Sequence, residues 1–500
     1  MLTLVSAIPI AIVIIGIGIL AKPSKIIGPI SCIAAILLAG LYFKTPLADI
    51  GTNAYAGAKS AVQAMFMVTM AITTLNLLKE TGAMQTIINA LAIVSNDKRI
   101  QVIMVGMGFG SFLEGAAGAG APAAIAGPFL VSLGINPLSA VAAALTANGI
   151  TPCFGSGGMN AAVSASMIED ISSITYLQIT AAAGMVLSVC CLVVPSVMIY
   201  IVFGKNGFKG LKKFLVFISA VSGGSYFIIS YFIGPELIAM GIGVMIILGC
   251  IAWAKFFAPP TPEEFVFRME DVQGKAPEGK AAVMWRALII YIIIFITLPV
   301  VRPRVPSEVM NTMGHPTFVG LVIFIAMVIG AVALGVLDQV PGFLWRTVKS
   351  MVPPIIAMVT MVAMAKICQG SGMLKNIASS LSHVGPVLYP AAAMVIGTIG
   401  SFATGSAYSS IIMFTRVNYE TAAMLGINGC FTVAGQNAGA ALGNMICPHN
   451  VVSASTTVGM LGKEGLIIRK TIASWLLLAV AAGCMILLYT QVICPGFGIS

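Results

Sequence analysis

Glu114 is the one formally charged residue between Arg99 and Glu169, in a stretch otherwise rich in glycine, alanine, proline and aliphatic side chains. An ionised carboxyl inside a bilayer is expensive, so an acid in that setting marks a functional position unless it serves as a neutral strut between helices. Burial disfavours the charged form, which suits a group that must load and release a proton. The polar residues around it have the chemistry to hold a small carboxylate and a hydroxyl: Ser111, Asn148, Thr151 and Ser156 in the same half of the chain, and Thr404, Ser406, Ser409, Ser410, Gln436 and Asn437 in the other. Gly115 and Gly118, in the same run as Glu114, complete the candidate set. The competing account is that small residues simply let helices approach closely.

Two further side chains are secondary candidates. Lys366 falls near the end of an apolar stretch, where its long stem can carry the ammonium to the interface; a substrate-facing cation is the alternative. His449, in Cys447-Pro-His-Asn450, lies beside a Gly/Asn-rich segment, and a hydrogen-bonded structural histidine is the simpler account of it. His315 and His383 read as loop residues. The ten cysteines are mostly single and sit in apolar runs, the pattern of buried free thiols, and no spacing suggests a metal. There is neither a Walker A sequence nor an HExxH motif, so no cofactor, nucleotide or metal is expected.

The elements that position these residues must be membrane helices. The chain of 500 residues is 59% hydrophobic and 8% charged, with a mean hydropathy of +1.03, whereas soluble domains carry roughly 25% charged residues. Spanning helices need roughly 20 apolar residues, and the stretches 4–20, 26–43, 283–301, 317–337 and 472–492 are among many that qualify. The net charge of +10 does not call for nucleic acid, because Lys and Arg mark cytoplasmic loops. Most of the cations cluster around Lys22, Lys98, 205–213, 255–286, Lys349 and 463–470, while Asp49, Glu169, Asp170, Glu236 and Glu308 fall in the opposite loops. That asymmetry predicts a multi-pass protein of a bacterial inner membrane with both termini outside and the proline-rich, charged segment 258–281 inside.

Self-comparison adds an internal repeat. Met67-Val-Thr-Met70 recurs as Met358-Val-Thr-Met361, and Gly110-Ser-Phe-Leu-Glu-Gly115 as Gly400-Ser-Phe-Ala-Thr-Gly405. Leu133-Gly-Ile-Asn136 recurs as Leu425-Gly-Ile-Asn428, and Asn148 is answered by Asn437. The matches keep an offset of about 290 over roughly 80 residues, long enough to signal a structural repeat. Equivalent elements carry opposite loop charges, acidic before one late helix (Glu169, Asp170) and basic before its counterpart (463–470). Inverted repeats with binding at the midplane are characteristic of secondary transporters. Gly and Pro at 110–122, 128, 137 and 152–158, and again over 400–410 and 437–450, predict broken or re-entrant segments, tolerated only where they are buried in protein or line a cavity. The expected fold is therefore an all-α polytopic membrane protein of about 12 spans at roughly 20 residues each. Its expected parts are a first repeat over 1–203, a helix pair over 204–257, a cytoplasmic linker over 258–281 and a second repeat over 282–500.

At these same residues the sequence resembles the L-lactate permease family. The likeness is carried by 77–84 (Leu-Leu-Lys-Glu-Thr-Gly-Ala-Met), by Gly108-Phe-Gly-Ser-Phe-Leu-Glu-Gly-Ala-Ala-Gly118, by 400–406, by Met445-Ile-Cys-Pro448 and by 458–464. The chain departs from the family's usual pattern at 118–122 and 407–412. The resemblance implies proton-coupled import of lactate, glycolate or a related 2-hydroxy monocarboxylate, with Glu114 in the family's acidic position and 404–410 in its Ser/Thr-rich one. A sodium-coupled carrier of another organic anion and an anion channel are the alternatives; no catalytic constellation points to an enzyme.

Overall fold

The computed structural model describes residues 2–498 except 21, 117, 119–120, 267–280, 302–303, 307–308, 310–311 and 461–462. Most of the expected 258–281 linker, with Arg302 and Glu308, therefore lies outside the described residues. Every major element among those described is a helix. The order is α1 (Leu2–Val13), α2 (Ser24–Leu37), α3 (Leu47–Glu80), α4 (Ala83–Ala92), α5 (98–116, with π-type geometry over Val102–Phe109), α6 (Ala121–Ser132), α7 (Pro137–Asn148), α8 (Gly155–Ser166) and α9 (Tyr176–Phe203). Then come α10 (Lys212–Phe232) and α11 (Ile238–Phe256). The chain continues with α12 (Ala281–Val301), α13 (His315–Leu334), α14 (Val340–Gly370), α15 (Met373–Leu381), α16 (Tyr389–Thr404), α17 (Ala407–Leu425), α18 (Gly429–Gly443), α19 (Pro448–Thr457) and α20 (Glu464–Leu488).

Among the described residues, eight helical stretches are long and apolar enough to cross a membrane, or nine if α7 and α8, bent by 52° at their break, count as one span. Shorter apolar helices lie at Leu2–Ile17, Pro122–Ser132, Leu288–Leu298 and Tyr389–Thr404. The expected all-α, multi-pass architecture with broken segments is what the chain adopts.

The nine elements α1–α9 are followed, after α10 and α11, by nine elements of the same kinds in the same order. Small local signals recur with them. Gly82 and Gly372, the residues preceding α4 and α15, take left-handed φ of 72° and 77°. Asn136 and Asn428 cap α7 and α18 with side-chain oxygens that accept from Leu138 N and Phe431 N, each satisfying an otherwise orphaned donor. Contacts between the halves come in matched pairs: α2 packs on α14 as α13 packs on α3, and α8 on α17 as α19 on α6. Likewise α9 packs on α18 as α20 packs on α7, and α1 on α15 as α12 on α4. The long helices α3 and α14 lie against each other between them.

A buried ion pair secures one end of the bundle. Arg99 meets Asp97 at 2.7 Å with both side chains almost fully enclosed, and it donates to the Lys209 carbonyl at 2.7 Å. The start of the linker folds over it. The Phe265 ring lies 4.1 Å from the Arg99 guanidinium carbon, and Thr261 donates to Asn96 Oδ1 at 3.1 Å.

Candidate functional site

The face of α5 is set by glycine. A Cβ on Gly243 of α11 would lie 2.5 Å from the Gly108 carbonyl oxygen and the Phe112 nitrogen, and one on Gly115 would lie 2.6 Å from Met240 N. Backbone therefore presses on backbone along the α5–α11 crossing, and Ser111 and Glu114, 2% and 3% exposed, are turned into the protein. The Glu114 carboxyl meets the break between α7 and α8: Asn148, the last residue of α7, lies within hydrogen-bonding reach of it, and a Cβ on Gly155 would fall 2.3 Å from Oε1.

That break is a turn of left-handed backbone, with φ of 48°, 66° and 76° at Ser156, Gly157 and Gly158. Gly118, from the break between α5 and α6, faces it, since a Cβ there would overlap the Ser156 hydroxyl at 2.2 Å. The carbonyls freed by the break find donors. Tyr226 OH donates to Ile150 O at 2.7 Å, Asn160 Nδ2 to Pro152 O at 2.5 Å and Thr151 Oγ1 to Asn148 O at 3.4 Å. Four buried side-chain atoms here have no hydrogen-bond partner among the described residues: Ser111 Oγ, Glu114 Oε2, Asn148 Oδ1 and Asn160 Oδ1. Buried polar groups are normally paired, so four unpartnered atoms at one break set this cluster apart from the rest of the interior. A neutral Glu114 supplies a donor where acceptor oxygens lie without one.

The second half arranges its candidates differently. Thr404 stands at the position equivalent to Glu114, and its hydroxyl donates to Gly400 O at 2.8 Å and Ser406 O at 3.2 Å. Ser406 caps α17 by accepting from Ser409 N at 3.4 Å, Ser409 Oγ faces Met361 Sδ at 4.0 Å, and Ser410 donates to Gly397 O at 2.7 Å. Asn437, the counterpart of Asn148, donates to Ser164 Oγ of α8 at 3.0 Å, and Ser164 also lies 3.3 Å from Thr415 Oγ1, which donates to Gln436. These polar groups tie α8 of the first half to α17 and α18 of the second. His449, exposed at the start of α19, packs its Cβ toward Gly405, where an added Cβ would lie 2.9 Å away. The two breaks of this half therefore also meet.

Lys366 and a second cation on the inner helices, Arg416 of α17, are both engaged. Lys366 donates to Ser166 O at 2.8 Å, at the C-terminal end of α8, where a positive charge opposes the helix dipole favourably. Arg416 pairs with Asp170 in the loop after α8 and with Glu420 at 2.6 Å, and Gln369 donates to the same Asp170 carboxyl at 3.2 Å. Burial alone would raise the Asp170 carboxyl, but the hydrogen bond from Arg416 and its charge hold it below the ordinary aspartate value. Sequence reasoning overlooked Asn160 and placed Glu236 in a loop. Glu236 is instead 6% exposed, in the 3-10 turn Pro235–Leu237 that leads into α11, because Gly158 lets α8 press on Pro235. Its position directly after a proline at the head of an apolar run was the available signal.

An all-helical membrane bundle with paired broken helices and buried acids beside one of the breaks defines a membrane transporter. The chain matches the family model described as L-lactate permease over residues 2–318 and 305–493, and it belongs to that family: it is a permease, not an enzyme. It is 27% identical to the glycolate permease GlcA of Escherichia coli over 98% of this chain and 96% of that protein. It is 25% identical to the L-lactate permease of Bacillus subtilis over 88% and 87%. Among solved structures, Neisseria gonorrhoeae MtrF, described with a class of antimetabolite efflux pumps, superposes with a TM-score of 0.50 at 14% identity, covering 89% of this chain and 85% of that one. This last likeness concerns the fold alone.

Proposed function

We propose that the chain imports lactate, glycolate or a related small 2-hydroxy monocarboxylate together with a proton across a bacterial inner membrane. The observation that carries the reading is the Glu114 carboxyl, buried against the α7–α8 break with one oxygen left without a partner. Relatives named for glycolate and L-lactate support the substrate class. Because Lys366 and Arg416 are already engaged, recognition of the carboxylate falls to the exposed N–H groups of half-helix ends and to Ser111, Asn148 and Asn160. A single negative charge can be accommodated this way, and the proton on Glu114 neutralises the loaded carrier. The matched contacts between α1–α9 and α12–α20 support two repeats, over 1–203 and 282–500, and the opposite loop charges of equivalent elements support opposite orientations. They are joined by the helix pair over 204–257 and the linker over 258–281, with both termini outside the cell.

The test is uptake of labelled lactate, glycolate and a dicarboxylate into proteoliposomes, each with an imposed proton or sodium gradient. Monocarboxylate accumulation driven by the proton gradient, lost in Glu114→Gln, is expected. Sodium-driven accumulation, flux without accumulation, or an unimpaired Glu114→Gln variant would each overturn the reading.

A further inference from the structure

A cavity of about 530 Å³ opens where α10 begins and α11 ends, walled by Leu211 and Phe214, by Trp253 and Ala254, and by Ser95 and Asn96 ahead of α5. The start of the linker, through Thr261, closes one side of it. Its volume falls within the range of small-molecule sites, roughly 300–1,000 Å³. Because α10 and α11 are both long and apolar enough to span, a cavity at their adjoining ends lies at the boundary between membrane and water. The Trp253 ring packs with those of Phe214, Phe217 and Phe257 at 5.6, 5.5 and 5.7 Å, and tryptophan collects at headgroup level. The wall itself is electroneutral, since Asp97 and Arg99 pair within it at 2.7 Å. It still offers donors. Asn96 Oδ1 accepts from Thr261 at 3.1 Å, which leaves the amide N–H groups to a ligand, and Ser95 Oγ accepts from Asp97 N at 3.2 Å, which leaves its own proton.

The rim is basic. Lys209, Lys212, Lys213 and Lys255 each adjoin a lining residue in the chain, and all four are exposed. Lys98 turns away, its ammonium 3.5 Å from the point where a Cβ on Gly134 would lie. Glu263 and Glu264, exposed on the 3-10 turn after Thr261, offset the four cations only in part. From this arrangement we propose that the cavity is a binding site for the headgroup of an anionic phospholipid. The phosphate sits among the rim lysines and the Ser95 and Asn96 donors, and the acyl chains leave over Phe256 and Phe257, both exposed at the end of α11. That exposed apolar exit favours a lipid over a soluble anion. Lysine-rich loops mark the cytoplasmic side, whose leaflet carries the anionic lipids, and basic pockets between spans on that side recognise their headgroups. A lipid seated there bridges α10, α11 and the linker beside Asp97, whose carboxylate caps α5 by accepting from Arg99 N at 2.9 Å. The bland alternative is that the lysines only set the orientation of the chain in the membrane.

The experiment follows thermal melting of the detergent-solubilised full chain against added phosphatidylglycerol, phosphatidylcholine or inorganic phosphate, with native mass spectra counting the lipid retained. It compares wild type with Lys209→Gln/Lys212→Gln/Lys255→Gln and with a control of equal charge change, Lys349→Gln/Lys463→Gln/Arg469→Gln, at exposed positions outside the cavity. Phosphatidylglycerol should raise the melting midpoint of wild type and control at the same half-saturating concentration, while phosphatidylcholine and phosphate leave it unchanged. The cavity variant should need about tenfold or more of the lipid, the scale set by removing three juxtamembrane cations. Asn96→Asp keeps an acceptor for Thr261 but exchanges the amide donors for a negative charge; it should weaken the response while its lipid-free midpoint stays near wild type. An equal response in the two triple variants would assign the effect to diffuse surface charge. Stabilisation by phosphate alone would make the cavity a site for a soluble anion, and phosphatidylcholine as effective as phosphatidylglycerol would remove recognition of charge. Each of these results, an unshifted wild type, or an unaltered response in Asn96→Asp would overturn the proposal.

Discussion

Gly158→Ala tests whether the α7–α8 break is held by contact or only by backbone conformation. Gly158 has φ of 76°, and a Cβ there would lie 2.5 Å, 2.6 Å and 2.7 Å from the carbonyl carbon, carbonyl oxygen and Cβ of Pro235. Gly210, with φ of 71°, has nothing within 4 Å of the same construction. Both substitutions cost about 1–2 kcal/mol for forcing alanine into left-handed backbone. Gly158→Ala must also push α8 and the head of α11 apart by nearly 1 Å to reach an ordinary contact of 3.4 Å, and overpacking of this kind costs about 1–3 kcal/mol more. The opposing atoms belong to backbone and a proline ring, so no side-chain rotation relieves the overlap. Melting of the detergent-solubilised protein and substrate counterflow, measured for both variants, separate the two contributions. Gly158→Ala is expected to melt lower than Gly210→Ala and to lose most of its counterflow, with Gly210→Ala close to wild type in transport. Equal losses in the two variants would mean that the packing of the break on Pro235 contributes nothing.

Three further outcomes follow from the geometry. Asp170→Asn removes one of the two carboxylates on Arg416; with Asp170 half exposed, the loss is about 0.5–1 kcal/mol after screening. Because the folded-state value of Asp170 is depressed, its contribution is present above the unfolded value near 3.9 and lost as pH falls through the folded value. The melting difference should therefore persist at pH 7 and close only in acid below about pH 4; a gap that grows on acidification contradicts this. Asn437→Ala leaves Ser164 and the α8–α18 seam without the 3.0 Å bond, and a destabilisation of about 1–3 kcal/mol is expected from thermal melts. Phe265→Ala removes the ring over Arg99, which should lower stability by about 0.5–2 kcal/mol and speed proteolysis of the 258–266 segment without changing the substrate's KM.

The broken segments and the family were legible because glycine and proline cluster at 110–122, 152–158 and 400–410 around a lone intramembrane acid, Glu114, in the sequence. The repeat was legible from Met67 to Asn148, where close backbone contact restricts residue choice. It faded in α1, α2, α12 and α13, whose faces carry generic aliphatic residues with many exposed positions such as Leu4, Ile33, Ile296 and Ile325. The polar set was harder to read. Thr404 and Ser410 carry the same hydroxyl as Ser111, yet Thr404 bonds back to the Gly400 carbonyl one turn earlier, a habit of Thr in helices, and Ser410 bonds across to Gly397 O of α16; composition cannot distinguish either from ligand binding. Glu236 was misplaced for a tertiary reason: whether an acid after a proline meets water or another helix depends on what Gly158 allows to approach.

The reciprocal packing of each broken helix on the opposite half bears on how the chain is made. When synthesis has reached Phe203, α8 and α9 are complete, but α17, α18 and α20, against which they pack, do not yet exist. Ser164 then has no Asn437 to meet, and the inward faces of α8 and α9 must wait in lipid or against a chaperone until the last third of the chain arrives. The nascent first half is thus a holding state rather than a finished unit. Carriers truncated between residues 203 and 429 should be recognised by quality-control proteases instead of accumulating as stable half-transporters.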